Sequence, residues 1–185
     1  ILGSEGTWIG KGFYNARPRI ALRVLPDFQE GETFESFFTR KLESALEKRA
    51  GIKNTNAYRI VHSEGDGLGG LIIEKLDQWL ILQFVSAGMF RERATIFSVL
   101  KNRFPDHSQY YFAEKRVQKQ ESFDCWEQPL PPPFYVQENG LRFKIDFALK
   151  HKTGFYLDQR ENRSKLVTLT EGKKVLDLFS FTGGF

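Results

Sequence analysis

The stretch Val175-Leu-Asp-Leu-Phe-Ser-Phe-Thr-Gly-Gly184 decides the fold of the C-terminal part of the chain. Residues 175–179 predict an apolar strand that carries one carboxylate, Asp177, and that ends in a diglycine turn. In a doubly wound sheet, ligands bind beyond the carboxyl ends of the strands, where glycines let the backbone approach them closely. At that edge Asp177 would accept hydrogen bonds from an amino or hydroxyl group. A buried strand followed by an ordinary turn explains the same pattern equally well.

A second motif, Lys152-Thr-Gly-Phe-Tyr-Leu-Asp-Gln-Arg-Glu-Asn-Arg163, precedes this strand and predicts the start of a helix. Asp158 and Glu161 stand three residues apart, which predicts a capping box, and we favour this structural role for both. The N–H groups of a first helical turn also suit a carboxylate or phosphate, and Arg160 and Arg163 beside them strengthen the case for an anion site. A solvated basic helix face fits the pattern about as well.

A proline cluster at residues 129–133 marks the clearest boundary in the chain, because proline removes backbone donors and stiffens the backbone. The segment after it predicts a hairpin, with strands at Phe134–Gln137 and Leu141–Phe147 joined through Glu138-Asn-Gly140. Asn-Gly is the strongest short hairpin motif. The prolines therefore predict a short linker that leads into a new domain.

The region before the prolines alternates between helix and strand patterns and predicts an α+β domain. From Thr33, apolar residues recur on one helical face, and Gly51 is the expected C-cap. A second helix is predicted from Phe90 to Phe104, whereas residues 114–128 are polar and predict a region that is partly loop. The predicted strands are Thr7–Asn15, Arg19–Leu25, Tyr58–His62, Leu71–Glu74, Trp79–Val85 and Tyr110–Ala113.

The composition is that of an ordinary globular chain and excludes a wholly disordered or collagen-like protein. Of the 185 residues, 41% are hydrophobic and 27% are charged. No stretch is long and apolar enough to span a bilayer, and the single cysteine, Cys125, cannot form an internal disulfide, so we expect a cytoplasmic protein. The net charge of +4 is a weak indication of a polyanionic partner.

Other polar residues give weaker patterns. Glu64 and Asp66 lie in a glycine-rich connection, but two carboxylates fall short of a calcium site, and we favour a turn. His62, His107 and His151 are scattered without the spacing of metal ligands. The sequence therefore predicts no metal site.

The N-terminal strands interleave aromatic rings with positive charge. Trp8, Phe13, Tyr14, Arg17 and Arg19 form a pattern that an RNA-facing strand can have. Aromatic residues in a strand more often belong to the core, so the residues alone favour the core interpretation.

The motifs at Glu138–Phe143, Lys152–Arg163 and Val175–Phe185 closely resemble a bacterial class I methyltransferase family. Members of that family use S-adenosylmethionine and modify cytosine C5 of large-subunit ribosomal RNA. The segments Gly10–Asn15 and Ile20–Leu25 are similar to the end of the family's PUA domain, an RNA-binding β-barrel. Tyr58–Leu71 resembles the central α+β domain of the family, so that the resemblance spans nearly the whole chain.

The resemblance implies a fold and a set of roles. We expect a partial PUA β-barrel, an α+β central domain and the start of an α/β Rossmann-like methyltransferase domain. The implied domains are residues 1–28 for the PUA part, 29–128 for the central domain, 129–133 for the linker and 134–185 for the incomplete methyltransferase domain. The implied cofactor-binding residues are Phe155, Tyr156, Gln159, Arg163, Asp177, Phe179, Ser180, Thr182, Gly183 and Gly184. The implied RNA-binding residues are Lys11, Tyr14, Arg17 and Arg19.

The resemblance also implies that the catalytic nucleophile lies outside this sequence. Methylation at C5 needs a thiolate that attacks C6 of cytosine, and the family places that cysteine downstream of the glycine turn, beyond Phe185. Cys125 lies before the linker, where we interpret it as a small apolar core residue. We therefore expect a fragment, cut at both ends, that belongs to an enzyme and is inactive alone.

Two further expectations follow. If the natural protein ended at Phe185, the better hypothesis would be a non-enzymatic RNA-binding or assembly module that uses the basic ends of the chain. The apolar strand at residues 175–179 would lack neighbouring strands to pair with in this chain. An unpaired apolar strand edge tends to pair with a strand of another chain. We therefore expect a homodimer or strand exchange through this edge.

Overall fold

The computed structural model describes residues 1–149, 155–178, 180 and 183–184. The α-helices in these ranges are α1 (Phe34–Arg49), α2 (Ala87–Arg91), α3 (Arg93–Arg103), α4 (Lys115–Glu121) and α5 (Arg160–Thr170). The strands are β1 (Lys11–Tyr14), β2 (Leu22–Leu25), β3 (Ala57–His62), β4 (Leu71–Leu76), β5 (Trp79–Phe84), β6 (Ser108–Phe112), β7 (Phe134–Glu138) and β8 (Leu141–Ile145). In the described ranges, no helix combines the length and apolar character needed to cross a membrane.

A four-stranded sheet in the order β3-β4-β5-β6 forms the centre of the molecule. The first three strands are antiparallel neighbours, and β6 pairs with β5 in parallel. Parallel neighbours need a crossover connection, and α2 and α3 supply it. The predicted single helix at Phe90–Phe104 is therefore two helices, which meet at Glu92.

Helix α1 begins where the sequence predicts and buries the predicted apolar face. The hydroxyl of Thr33 accepts a hydrogen bond from the backbone N–H of Ser36 at 3.2 Å, which caps the helix. Ala50, rather than the predicted Gly51, occupies the C-cap and has a right-handed conformation. Phe37 and Phe38 of this helix are fully buried on one face of the sheet.

Each face of the central sheet is covered by a hydrophobic core. The first core joins the sheet to α1, α2, α3 and the N-terminal hairpin. The second core lies on the opposite face, where Ile81 and Tyr110 of the sheet contact Phe134 and Val136 of β7 together with Phe155. The segment after the prolines therefore packs directly against the back of the central sheet. The division at residues 129–133 stays a prediction.

The hairpin of β7 and β8 confirms the Asn-Gly prediction. Asn139 and Gly140 both have positive φ angles, 50° and 82°, as a type I′ turn requires. Thr55 forms an isolated antiparallel bridge with Glu138, so that the hairpin is also attached to the segment before β3. This attachment places β7 beside the central sheet.

The N-terminal region contains small ribbons rather than a closed sheet. β1 and β2 pair antiparallel, with Lys11 opposite Leu25 and Tyr14 opposite Leu22. Within residues 1–28 the structure contains this ribbon and one bridge between Leu2 and Trp8, and it shows no barrel. The fold that is shown is thus a mixed α/β fold with small sheets.

One predicted loop region is confirmed, and one predicted strand is wrong. The polar segment at residues 114–128 is partly loop, as predicted, and also contains helix α4, whose last residue, Glu121, is buried. Residues 175–178 of the predicted strand are not in a strand, and Val175, Leu176 and Leu178 are exposed. The physical reason is that a strand needs a hydrogen-bonded neighbour, and no strand among the described residues pairs with this segment.

Candidate functional site

The predicted cofactor element at residues 155–163 is held by a buried ion pair. The guanidinium of Arg163 donates to both carboxylate oxygens of Glu138, with Nε–Oε1 at 2.7 Å and Nη2–Oε2 at 2.8 Å. Its Nη1 donates to the carbonyl of Tyr156 at 3.0 Å, and its charge lies 4.5 Å from the ring centre of Phe155. Both charged residues are buried, so Arg163 fixes this segment against β7 through hydrogen bonds to Glu138 and Tyr156 and a cation–π contact with Phe155.

The helix start at this element differs from the sequence prediction. Residues Leu157–Gln159 form a 3-10 turn, and Gln159 directly precedes α5 without a side-chain capping bond. The predicted capping box of Asp158 and Glu161 is therefore wrong, because Asp158 lies inside the turn. The carboxylate of Glu161 instead accepts from Arg160 at 2.9 Å.

Two predicted contact residues in this element are accessible. The side chain of Tyr156 is 49% exposed, while neighbouring Leu157 is buried. Gln159 is half-buried, and its amide oxygen accepts a hydrogen bond from Asn162 at 2.8 Å. The 3-10 turn and the hydrogen bond from Arg163 hold the backbone of this segment, and this fixes the positions from which the side chains of Tyr156 and Gln159 extend.

The predicted residues of the glycine motif lie in an exposed segment. Asp177 and Ser180 are exposed, and among the described residues Asp177 has no hydrogen-bond or ion-pair partner. The backbone N–H of Gly183 donates to the carbonyl of Ser180 at 2.8 Å, and Gly183 has a φ of 69°, which favours glycine. The predicted turn thus forms at Gly183, followed by Gly184. Phe179 and Thr182 lie outside the described residues.

The predicted RNA-binding residues lie on or beside the N-terminal ribbon, but Lys11 and Tyr14 lie on opposite faces of β1, and the ammonium of Lys11 lies 4.7 Å over the ring of Phe28. Lys11 and Tyr14 belong to β1, Arg17 and Arg19 follow in the connection to β2, and all four are exposed. Tyr14 is 71% exposed, which contrasts with Phe13, whose ring packs on the first core. The alternation of a strand therefore separates a core ring from a surface ring. The structure brings these four residues together on one ribbon.

Sequence reasoning missed the contact that anchors this ribbon. Glu121 at the end of α4 is 5% exposed, and its carboxylate accepts a hydrogen bond from Arg23 of β2 at 2.9 Å. The same carboxylate accepts from Asn15 and from the backbone N–H of Ala87, both at 3.2 Å. Its partners lie 34 to 106 residues away in sequence, so no local pattern indicates it.

The glycine-rich connection after β3 serves the fold, as predicted. Asp66 accepts two hydrogen bonds from Arg49, at 2.8 and 2.6 Å. Burial acts to raise the pKa of Asp66, but the bonds from Arg49 and from the backbone of His62 outweigh it and hold the pKa below its ordinary value. A lowered pKa stabilises the fold above the carboxyl's unfolded-state pKa, and this stabilisation is lost as the pH falls through the folded-state pKa. Among the described residues, no group of His, Cys, Asp or Glu forms a metal site.

Cys125 has the properties of a core residue. It is 5% exposed, and burial raises the pKa of its thiol above the ordinary value. The reactive form of cysteine is the thiolate, so this environment opposes nucleophilic attack. Cys125 therefore gives no support to a catalytic role.

We expect Cys125 to react slowly with iodoacetamide. At pH 8 the folded chain should be alkylated at least about tenfold more slowly than the urea-unfolded chain, because both access and the thiolate fraction are reduced. The rate should rise as the pH increases through the raised pKa. Mass spectrometry of quenched samples measures this ratio, and equal rates in the two states would contradict the buried position.

The sequence of the chain is similar to those of known methyltransferases. A family model described as S-adenosylmethionine-dependent methyltransferase matches residues 111–185. The chain is 36% identical over 194 residues to the ribosomal RNA large subunit methyltransferase I of Escherichia coli (strain SMS-3-5 / SECEC), with all of this chain and 49% of the relative covered. It is also 36% identical over 198 residues to the protein of the same name from Yersinia pseudotuberculosis (serotype O:1b, strain IP 31758), again with 100% and 49% covered.

Solved structures agree on the fold. The crystal structure of a methyltransferase complexed with SAH superposes with a TM-score of 0.77 at 23% identity, over 99% of this chain and 48% of that chain. A SAM-dependent methyltransferase from Streptococcus mutans superposes with a TM-score of 0.75 at 22% identity, over 99% and 49%. The chain is thus related to S-adenosylmethionine-dependent methyltransferases, and it spans about half the length of the curated relatives it matches.

Proposed function

We propose that this chain is part of an S-adenosylmethionine-dependent methyltransferase that modifies cytosine C5 in large-subunit ribosomal RNA. The observation that carries the proposal is the 36% identity over the whole chain to ribosomal RNA large subunit methyltransferases I. The family match at residues 111–185 includes both segments that the sequence analysis assigns to the cofactor. In this proposal the complete protein acts in the cytoplasm.

The residues of the two segments suit S-adenosylmethionine by their chemistry. Asp177 offers a carboxylate that has no partner among the described residues and that can accept hydrogen bonds from an amino or hydroxyl group. Tyr156 offers an exposed ring, and the glycine turn at Gly183 lets backbone approach a ligand closely. Bound S-adenosylmethionine would supply the methyl group. Arg163 would act as a positioning residue, because its bonds to Glu138 hold the segment that carries Tyr156.

In this proposal the described residues supply binding rather than chemistry. Buried Cys125 does not offer a thiolate, and we expect the nucleophile in the part of the relatives that this chain does not cover. The exposed ribbon with Lys11, Tyr14, Arg17 and Arg19 would contact RNA, because cations bind phosphates and an exposed ring stacks on a base. Pairing of the exposed segment 175–178 with another strand, in the complete protein or in a dimer, also stays a prediction.

Calorimetric titration with S-adenosylhomocysteine tests the assignment in the polypeptide extended to the length of its relatives. We expect binding, and we expect Asp177→Ala to weaken it about ten- to a hundredfold, because a hydrogen bond to a charged group contributes about 1.5–3 kcal/mol. Asp124→Ala is the matched control, since Asp124 lies outside both cofactor segments, and it should leave the affinity unchanged. Absence of binding would favour the non-enzymatic RNA-binding module instead.

A further inference from the structure

A cleft of about 750 Å³ lies at the edge of the central sheet, away from the ribbon and the cofactor segments. Helix α3, the first residue of β5 and the edge strand β6 form its walls. The residues that matter to its chemistry are Trp79, Phe97, Lys101, His107, Gln109 and Tyr111. Its volume lies within the range of about 300–1,000 Å³ that is typical of small-molecule sites.

The apolar part of the cleft consists of flat rings. Phe97 and Tyr111 lie with their ring centres 4.9 Å apart at an angle of 37°, and His107 contributes a further ring. Trp79 lines the cleft from the other face of the sheet, where its ring stacks on Phe134. Aromatic rings are the surfaces on which nucleobases stack, at about 1–3 kcal/mol per base. The lining therefore favours a flat, aromatic ligand over an aliphatic one.

The same cleft concentrates unpaired polar atoms. The described residues contain four buried side-chain atoms without a hydrogen-bond partner, and three of them belong to this lining: Nε1 of Trp79, Nδ1 of His107 and Oε1 of Gln109. The Gln109 amide is held by its Nε2, which donates to the carbonyl of Phe97 at 3.1 Å, so that Oε1 is left as an acceptor. Leaving a buried polar atom unpaired costs about 1–3 kcal/mol. These atoms are closed to solvent, so a ligand gains this free energy when its entry moves the side chains that cover them.

The charges of the lining residues favour a ligand that carries an anionic group. Lys101 is exposed and donates to the carbonyl of Pro105, and the described lining contains no carboxylate. Burial lowers the pKa of His107, which keeps its ring neutral at neutral pH. The cleft thus combines aromatic faces and one cation with an indole donor and an amide acceptor. A nucleotide has the matching parts: a flat base with polar edges, and a phosphate.

We propose that this cleft binds one unpaired nucleotide of an RNA substrate, with the base against the rings and the phosphate near Lys101. This inference rests on the proposed function for the identity of the partner as RNA. Gln109, whose side chain lies beside Phe97, would pair with the edge of the base. A peptide with an aromatic side chain would occupy the rings but would leave Lys101 without an anion.

The test is an NMR titration of the chain with cytidine 5′-monophosphate and with single-stranded oligocytidylate. We expect the indole N–H resonance of Trp79 and the side-chain amide of Gln109 to shift with both ligands. Trp126 is the internal control, because it does not line the cleft. Unmoved Trp79 and Gln109 signals overturn the proposal, whether or not the oligonucleotide binds elsewhere.

Two variants locate the binding. Ser98→Trp places a ring in the cleft and Lys101→Glu reverses its charge, and we expect each to weaken oligonucleotide binding at least about tenfold. Ser36→Trp on α1 and Lys119→Glu on α4 are matched controls at exposed helix positions, and they should leave the affinity unchanged. Shifts caused by an aromatic peptide but by neither nucleotide would also overturn the proposal. The calorimetry with S-adenosylhomocysteine does not involve this cleft, so the two proposals can fail separately.

Discussion

Replacing Arg163 with alanine is expected to lower the free energy of unfolding by about 3–5 kcal/mol, because removal of one partner leaves the other charge buried and unpaired. The carboxylate of Glu138 is 2% exposed, and the guanidinium provides two of its hydrogen bonds. Alanine also removes the hydrogen bond to the carbonyl of Tyr156. Urea unfolding monitored by circular dichroism measures the change.

A surface pair provides the control for this prediction. Arg103 contacts Glu43 at 2.9 Å, and their side chains are 48% and 46% exposed, so Arg103→Ala should cost less than about 1 kcal/mol. The double variant Arg163→Met/Glu138→Met should recover much of the loss, because apolar side chains can replace a buried ion pair. A loss below about 1 kcal/mol for Arg163→Ala would contradict the buried pairing.

Replacing Glu121 with alanine is expected to destabilise the chain by about 3 kcal/mol and to loosen the N-terminal ribbon. The change leaves Arg23, whose side chain is only 20% exposed, without its closer carboxylate partner at 2.9 Å. It also removes the acceptor of the Ala87 N–H and one of the two bonds that hold Asn15. Hydrogen–deuterium exchange of the β1 and β2 amides should accelerate, and affinity for single-stranded RNA should fall.

The Glu121 prediction has two comparison variants. Glu121→Gln keeps the shape and an acceptor oxygen, so it should retain part of the lost stability. Glu127→Ala removes a carboxylate that is 82% exposed and pairs with exposed Lys115, and it should change neither exchange nor RNA affinity. Unaltered exchange in β1 and β2 after Glu121→Ala would show that the ribbon is held by its apolar contacts alone.

Local sequence patterns predicted the helices, strands and turns whose conformation is determined by their own residues. The turn at Asn139-Gly140 follows from two residues that tolerate positive φ, and helix α1 follows from its capping threonine and apolar face. Short runs of apolar and aromatic residues likewise indicated the strands of the central sheet. In each case the residues that decide the conformation lie within one element.

Features that depend on distant partners were not predictable in this way. The polar sequence of α4 does not indicate that Glu121 is buried and pairs with Arg23. The motif around Arg163 likewise does not indicate its partner Glu138, which lies 25 residues earlier. The apolar run at residues 175–178 has the composition of a strand, but a strand exists only beside another strand. Of the predicted site, residues 155–163 form one fixed element, and their contact with the cofactor stays a prediction.

Because both faces of the central sheet are covered by packed segments, one face stays exposed while the chain is still being synthesised. When residues up to 128 have left the ribosome exit tunnel, Ala57, Leu76 and Ile81 still lack the side chains of β7, β8 and Phe155 that later cover them. Such a nascent chain exposes an apolar surface that chaperones can bind until the following segment emerges. We therefore expect a truncation at the linker to yield an aggregation-prone product.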